Sequence, residues 1–157
     1  GDSAGGNLAA VVSIMARDAG DLPIRYQLLI YPGTEMQSTA ESHRTNAEGY
    51  LLTRESIDYF HDHYIAESAH DFDWRASPFL RDDLSKLPPA LVLTAGYDPL
   101  RDDGLAYAHR LSEAGNRVTH ICFQRQIHGF ITMGKVLDEA NTAVNICADE
   151  IRRALTA

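Results

Sequence analysis

The sequence is short of the residues that several kinds of function require. It holds two cysteines and one tryptophan in 157 residues. Cys122 and Cys147 are too few and too far apart for a thiolate metal site or a disulfide framework. They read as buried free thiols, which suits a reducing compartment and points to the cytoplasm. Basic residues are also scarce, with 14 Lys and Arg against 22 Asp and Glu and a net charge of -8. That balance argues against a nucleic-acid surface, which needs a basic face, and disfavours adsorption to anionic lipid. No apolar run approaches the ~20 residues of a membrane span. There is no repeat, low-complexity tract or linker. What is present is ordinary for a globular domain: 45% hydrophobic and 23% charged residues, in a chain long enough to enclose a core.

Three short apolar runs stand out: YQLLIYPG from Tyr26, ALVLTAGYD from Ala90 and VTHICF from Val118. Their lack of polar alternation suits strands buried on both faces, as in a parallel sheet. Helical spacing fills the gaps. Leu8, Val11, Val12 and Met15 repeat at i, i+3, i+4 and i+7, and Gly20 is a natural stop. Leu105, Ala108 and Leu111 mark a second helix that ends at Gly115. Leu137, Ala140, Val144, Cys147, Ala148, Ile151 and Leu155 mark a last one. An insertion from Thr34 to Pro89 carries a further helix, with Ile57, Phe60 and Tyr64 on one face. Strands alternating with helices predict an α/β layer with right-handed crossovers. About three parallel strands are expected, with the YQLLIYPG strand at an edge beside ALVLTAGYD.

Gly1-Asp2-Ser3-Ala4-Gly5 fits the pattern G-x-S-x-G at a helix entrance. In a nucleophile elbow the serine sits on a sharp turn, and side chains at the two glycine positions are expected to collide. A serine capping a helix is the plainer explanation of the same residues. Asp98 follows a strand, where a carboxylate faces the crevice of such sheets; it could equally cap the helix opened by Pro99. His128, in QIHGF, follows the last strand, and Gly129 frees the backbone to aim its ring; a lone loop histidine is ordinarily surface decoration. Together, Ser3, Asp98 and His128 occur in the order Ser, Asp, His at positions just beyond strands, which chance must supply three times over. The other histidines carry less. His61 and His63 face different ways on a helix and cannot share a metal. His43, His70 and His109 are expected to be solvated, and His120 to be structural. Asp102 and Asp103 suit the first turn of a helix, and Trp74 suits packing.

The pieces GDSAGGNLA, LLIYP, ASPF, LPPALVLTAGYDPLRDDG, YAHRLSEAG and IHGF together resemble the bacterial hormone-sensitive-lipase-type esterases of the α/β-hydrolase class. The resemblance implies Ser3 as nucleophile, Asp98 as the residue orienting the histidine, His128 as the base, and the Ala4 amide as one oxyanion-hole donor. It implies a small-molecule ester as substrate, with short acyl chains, and neither metal nor organic cofactor. The HGGG loop of that family has no counterpart here. Residues 1–157 are therefore expected to be a partial α/β-hydrolase domain that starts at the elbow, and a weak catalyst by itself. An inert fragment, or a non-catalytic ligand-binding protein on the same fold, is the alternative.

Overall fold

The computed structural model describes residues 1–156. The chain runs α1 (Ala4–Ala19), β1 (Gln27–Ile30), α2 (Glu41–Thr45), α3 (Arg54–Tyr64), β2 (Ala90–Tyr97), α4 (Arg101–Glu113), β3 (Val118–Ile127) and α5 (Asp138–Thr156), with short 3-10 turns at Ser68–Phe72, Pro78–Leu80 and Phe130–Thr132. Glycines in the left-handed region end α1 at Gly20 and follow α4 at Gly115, where the sequence places the stops.

The three strands lie in the order β1-β2-β3, and both pairings are parallel. β2 is central and alternates between two cores. Ala90 and Val92 point to one face and pack with Ala10 and Ile14 of α1 and Tyr107, Ala108 and Leu111 of α4. Leu91, Leu93 and Ala95 point to the other and pack with Phe130 and with Ala140, Ala143 and Cys147 of α5. A strand covered on both faces needs apolar residues at every position, which is why its sequence shows no alternation. Each large side chain so buried contributes roughly 1.5–3 kcal/mol.

Three helix faces differ from the sequence expectation. In α1 the buried stripe is Asn7, Ala10, Val11 and Ile14, while Leu8, Val12 and Met15 stay about half exposed. The stripe is displaced by one residue from the Leu8, Val11, Val12, Met15 pattern, and it sets Ala10 and Ile14 in the core with Val92. In α3 nothing is buried; Phe60 and Tyr64 are more than half exposed. Its apolar face lies over a cleft instead of a core. In α5 the expected stripe is buried only at Ala140 and Cys147, and Val144, Ile151 and Leu155 remain open. Cys122 is half-buried, whereas Cys147 is buried, and both thiols are free. Among the described residues, no helix is long and apolar enough to cross a membrane.

β3 extends to Ile127, four residues beyond the apolar run VTHICF. The added residues are carried by pairing with β2, through a register shift between Ala95 and Tyr97. A side chain at Gly96 would meet the Gln124 carbonyl oxygen at 2.0 Å. The bulge therefore requires glycine, and it sets where β3 delivers its last residues. Gly96→Ala is expected to cost at least about 3 kcal/mol, the upper part of the range for an overpacked site, read as a lowered urea midpoint. An unchanged midpoint would show that the two strands can part there freely.

Candidate active site

The segment around Ser3 is held against the outer edge of β1. Asp2 forms a parallel bridge to Ile30; the Ser3 amide donates to the Ile30 carbonyl at 2.9 Å and the Ile30 amide to the Gly1 carbonyl at 3.0 Å. β1 thus pairs with β2 on one side and with this short segment on the other. The chain then turns abruptly into α1, and Ser3 takes φ 52° and ψ -122°, a region that non-glycine residues avoid. A Cβ at Gly1 would meet the Gly5 carbonyl oxygen at 2.3 Å, so glycine is obligatory there. Gly5 does not share the constraint expected of it, since its Cβ would meet only Asp2 Oδ1 at 4.0 Å. The crowded neighbour is Gly6, whose Cβ would lie 3.0 Å from that of Pro32.

Asp98 is fully buried just past β2. One carboxylate oxygen accepts the Leu100 amide at 2.8 Å; the other lies 2.7 Å from His128 Nδ1. The local cap and the contact with the histidine are both realised, on different oxygens. The Asn46 side chain donates to the Asp98 carbonyl at 3.0 Å and steadies the same turn from the insertion. His128 is buried, and its Nε2 lies 2.9 Å from Ser3 Oγ. With Asp98 accepting at Nδ1, the proton sits on that nitrogen and Nε2 is free to accept from the serine hydroxyl. Gly129, at φ 80°, turns the chain immediately after the ring. Three residues separated by up to 125 positions are thus joined in one line of hydrogen bonds. Ala4 opens α1, where first-turn amides have no intrahelical acceptor, and it borders the same cleft.

That cleft has a volume of about 460 Å³. Its outer wall is the apolar face of α3, with Ile57, Phe60 and Tyr64, and Leu8 lines it from α1. The cleft thus takes up Leu8 and the apolar face of α3 that the core leaves open, while Val12 and Met15 lie outside its lining. Its inner end is polar, and here two expectations are corrected. His43 is buried, not solvated, and its Nε2 lies 3.1 Å from the buried Asp103. Asp103 also accepts the Ser38 hydroxyl at 2.6 Å, so it does more than favour a helix terminus. His61 borders the cleft from α3, with Nε2 2.7 Å from the buried Asp71. Glu35 sits at the same end; burial, and then the Asp103 charge, push its carboxyl above the usual range, against the pull of His43. These residues carry no motif in the sequence, because each histidine meets its aspartate only after folding. His70 and His109 are exposed as expected. His120 is half-buried and bonds Thr94 at 2.9 Å. Trp74 packs against the core.

The residues match known proteins along most of the chain. A family model described as the alpha/beta hydrolase fold matches residues 1–132. Carboxylic ester hydrolase LipN of Mycobacterium tuberculosis is 44% identical over 139 residues, covering 85% of this chain and 37% of that protein. An arylesterase of Saccharolobus solfataricus is 38% identical, covering 83% of this chain and 43% of its own length. Among solved structures, the hyperthermophilic esterase of the archaeon Pyrobaculum calidifontis superposes with a TM-score of 0.93 at 42% identity, over all of this chain and 52% of that one. An ester hydrolase from the metagenome of Lake Arreo, complexed with a derivative of bipyridine phosphonate, superposes with a TM-score of 0.95 at 43% identity, over all of this chain and 50% of that one. The chain spans about half or less of the length of the relatives it matches.

The His61–Asp71 pair has a consequence for stability. The hydrogen bond to Asp71 raises the His61 pKa above 6.5, against an opposing effect of burial, and Asp62 adds to the rise. A histidine whose folded pKa is raised stabilises the fold fully below its unfolded value, and that stabilisation is lost as pH rises through the folded value. Wild-type chain should therefore lose more urea resistance between pH 6 and pH 8 than a His61→Gln variant does. Equal losses in the two chains would show that the pair does not hold α3 in place.

Proposed function

The chain belongs to the α/β hydrolase fold family, and from that premise we propose that it carries the acyl-transfer centre of a serine carboxylester hydrolase. The observation that supports this reading is the line of contacts from Asp98 through His128 to Ser3, 2.7 Å and 2.9 Å long. Relatives named carboxylic ester hydrolase and arylesterase favour the same chemistry, as does the solved relative complexed with a phosphonate derivative.

In this reading Ser3 Oγ attacks the ester carbonyl while His128 Nε2 takes its proton. Asp98 holds the imidazole in the tautomer that makes this possible and stabilises the imidazolium. The Ala4 amide, at the head of α1, donates to the oxygen that becomes negative; fixed donors of this kind are ordinarily a large part of the rate enhancement. His128 then protonates the departing alkoxide, and the acyl group stays on Ser3. Water repeats the sequence and releases the acid. The reaction needs neither metal nor organic cofactor. The apolar wall and the size of the cleft suit a small ester with a short acyl chain. The acidic balance of the chain favours such a substrate over nucleic acid, and the free thiols favour a reducing compartment such as the cytoplasm. A His128 within reach of the serine counts against a purely ligand-binding role.

A phosphonate ester with a p-nitrophenolate leaving group reports on nucleophile activation directly. The chain is expected to release p-nitrophenolate and gain the phosphonyl mass on Ser3, and Ser3→Ala should do neither. Asp98→Asn should slow labelling by about 10⁴-fold, because the amide favours the wrong imidazole tautomer. Labelling at another residue, or equal rates in Ser3→Ala, would remove Ser3 as the nucleophile.

A further inference from the structure

Tyr31 follows β1 directly and precedes Pro32. Its backbone has φ 36°. For a bulky residue this is an outlier, and a residue before proline prefers extended structure. Strain of this kind persists only where its surroundings impose it. Here they do. The Tyr31 amide donates to the Leu93 carbonyl of β2 at 2.6 Å, while the residue before it, Ile30, is tied to Gly1 and Ser3 at the elbow. The turn is gripped from both sides, and the phenol ring is driven inward until it is fully buried.

The ring lands on His128. The centroids are 4.5 Å apart, with the planes tilted by 52°. Phe130 meets the same tyrosine ring edge-on at 6.1 Å and backs it. The tyrosine hydroxyl approaches Asp2 Oδ2, beside the serine, at 3.5 Å. His128 itself is held at its two nitrogens, by Asp98 and Ser3. Two such contacts lie nearly along one line through the imidazole. They leave the ring free to pivot sideways about the Asp98 contact, and a pivot swings the Nε2 lone pair off the serine O–H. A further contact against the ring is needed to stop it, and the tilted Tyr31 ring, 4.5 Å away between centroids, supplies one.

We propose that Tyr31 is a positioning residue for the Ser3–His128 pair, its strained turn pressing the phenol ring against the imidazole and fixing the plane in which Nε2 faces Ser3. This rests on the acyl-transfer reading of the site. The aromatic face does the work, and the hydroxyl contact with Asp2 is secondary. A misplacement of about 1 Å at a reacting group can cost on the order of 10²-fold in rate, and an imidazole pivoting about its Asp98 contact moves Nε2 on that scale.

The test compares the wild-type chain with Tyr31→Phe, Tyr31→Leu and Tyr31→Met. Two quantities are read: the rate of Ser3 phosphonylation by the p-nitrophenyl phosphonate, and the low-field proton resonance of His128 Nδ1–H. Phenylalanine keeps the ring and should restore labelling to within about threefold of wild type, with the resonance intact. Leucine and methionine keep an apolar filler without a flat face. They should slow labelling on the order of 10–10²-fold and broaden the resonance through exchange with water, while circular dichroism shows the fold retained. If leucine fails to fold, the flexible methionine carries the comparison. Leucine or methionine variants that keep both the rate and the resonance would overturn the proposal, as would a phenylalanine variant as slow as leucine. If wild-type chain is not phosphonylated at all, the acyl-transfer reading fails, and the resonance alone then judges whether Tyr31 fixes the ring.

Discussion

A single imidazole has to reach a carboxylate at the end of one strand and a hydroxyl at the head of a helix, and the rest of this structure arranges those three ends. Asp98 leaves β2, Ser3 enters α1 and His128 leaves β3. Their separations are set by the parallel pairing of β1, β2 and β3, whose C-terminal ends all face the same way. Parallel order is therefore a condition of the site, because an antiparallel neighbour would carry its last residue to the opposite edge of the sheet. The Gly96 bulge tunes the arrangement by fixing how far β3 runs alongside β2 before it releases His128.

Among the described residues, four non-glycine positions adopt positive φ, Ser3, Tyr31, Leu51 and Lys86, and the first two serve that imidazole. Ser3 and Tyr31 both adopt positive φ, and both adjoin Ile30, whose amide and carbonyl hold the elbow. Such conformations cost of order 1–3 kcal/mol each. The cost is offset by the apolar burial on both faces of β2, one of which includes Tyr31 and Phe130 themselves. One result is a hydroxyl pushed toward the cleft; the other is an aromatic ring pressed on the histidine.

The cleft shows how one fold divides its apolar residues between two tasks. Ala10, Ile14, Val92 and Leu111 make a core that excludes water permanently. Leu8, Ile57, Phe60 and Tyr64 make the wall of an open cleft. α3 contributes only to the wall, and it is tied down by polar contacts such as His61–Asp71 instead of by packing. The inner end of the cleft repeats that device with His43 and Asp103, so two histidines besides His128 border the cleft against buried aspartates.

The family resemblance and the positions of Ser3, Asp98 and His128 were legible in the chain because each depends on local pattern, and the strand order followed from the resemblance. The continuous apolar run of β2 marks a strand covered on both faces, whereas β1 and β3, expected to be the same, are only partly covered because they lie at the sides of the sheet. Glycines around a serine mark a turn too tight for side chains. A carboxylate just after a strand marks the crevice. What the sequence could not reveal is which apolar stripe of α1 faces the sheet, since Leu8, Val12 and Met15 keep helical spacing as well as Ala10, Val11 and Ile14 do. It could not separate the wall-forming face of α3 from a core face, for both are apolar. Nor could it pair His43 with Asp103, 60 residues away, or bring Tyr31 onto His128. Residue order and spacing determine the elements and the candidate chemistry. Only the packing of those elements decides which side chains face each other, because contacts between distant residues leave no periodic trace in the chain.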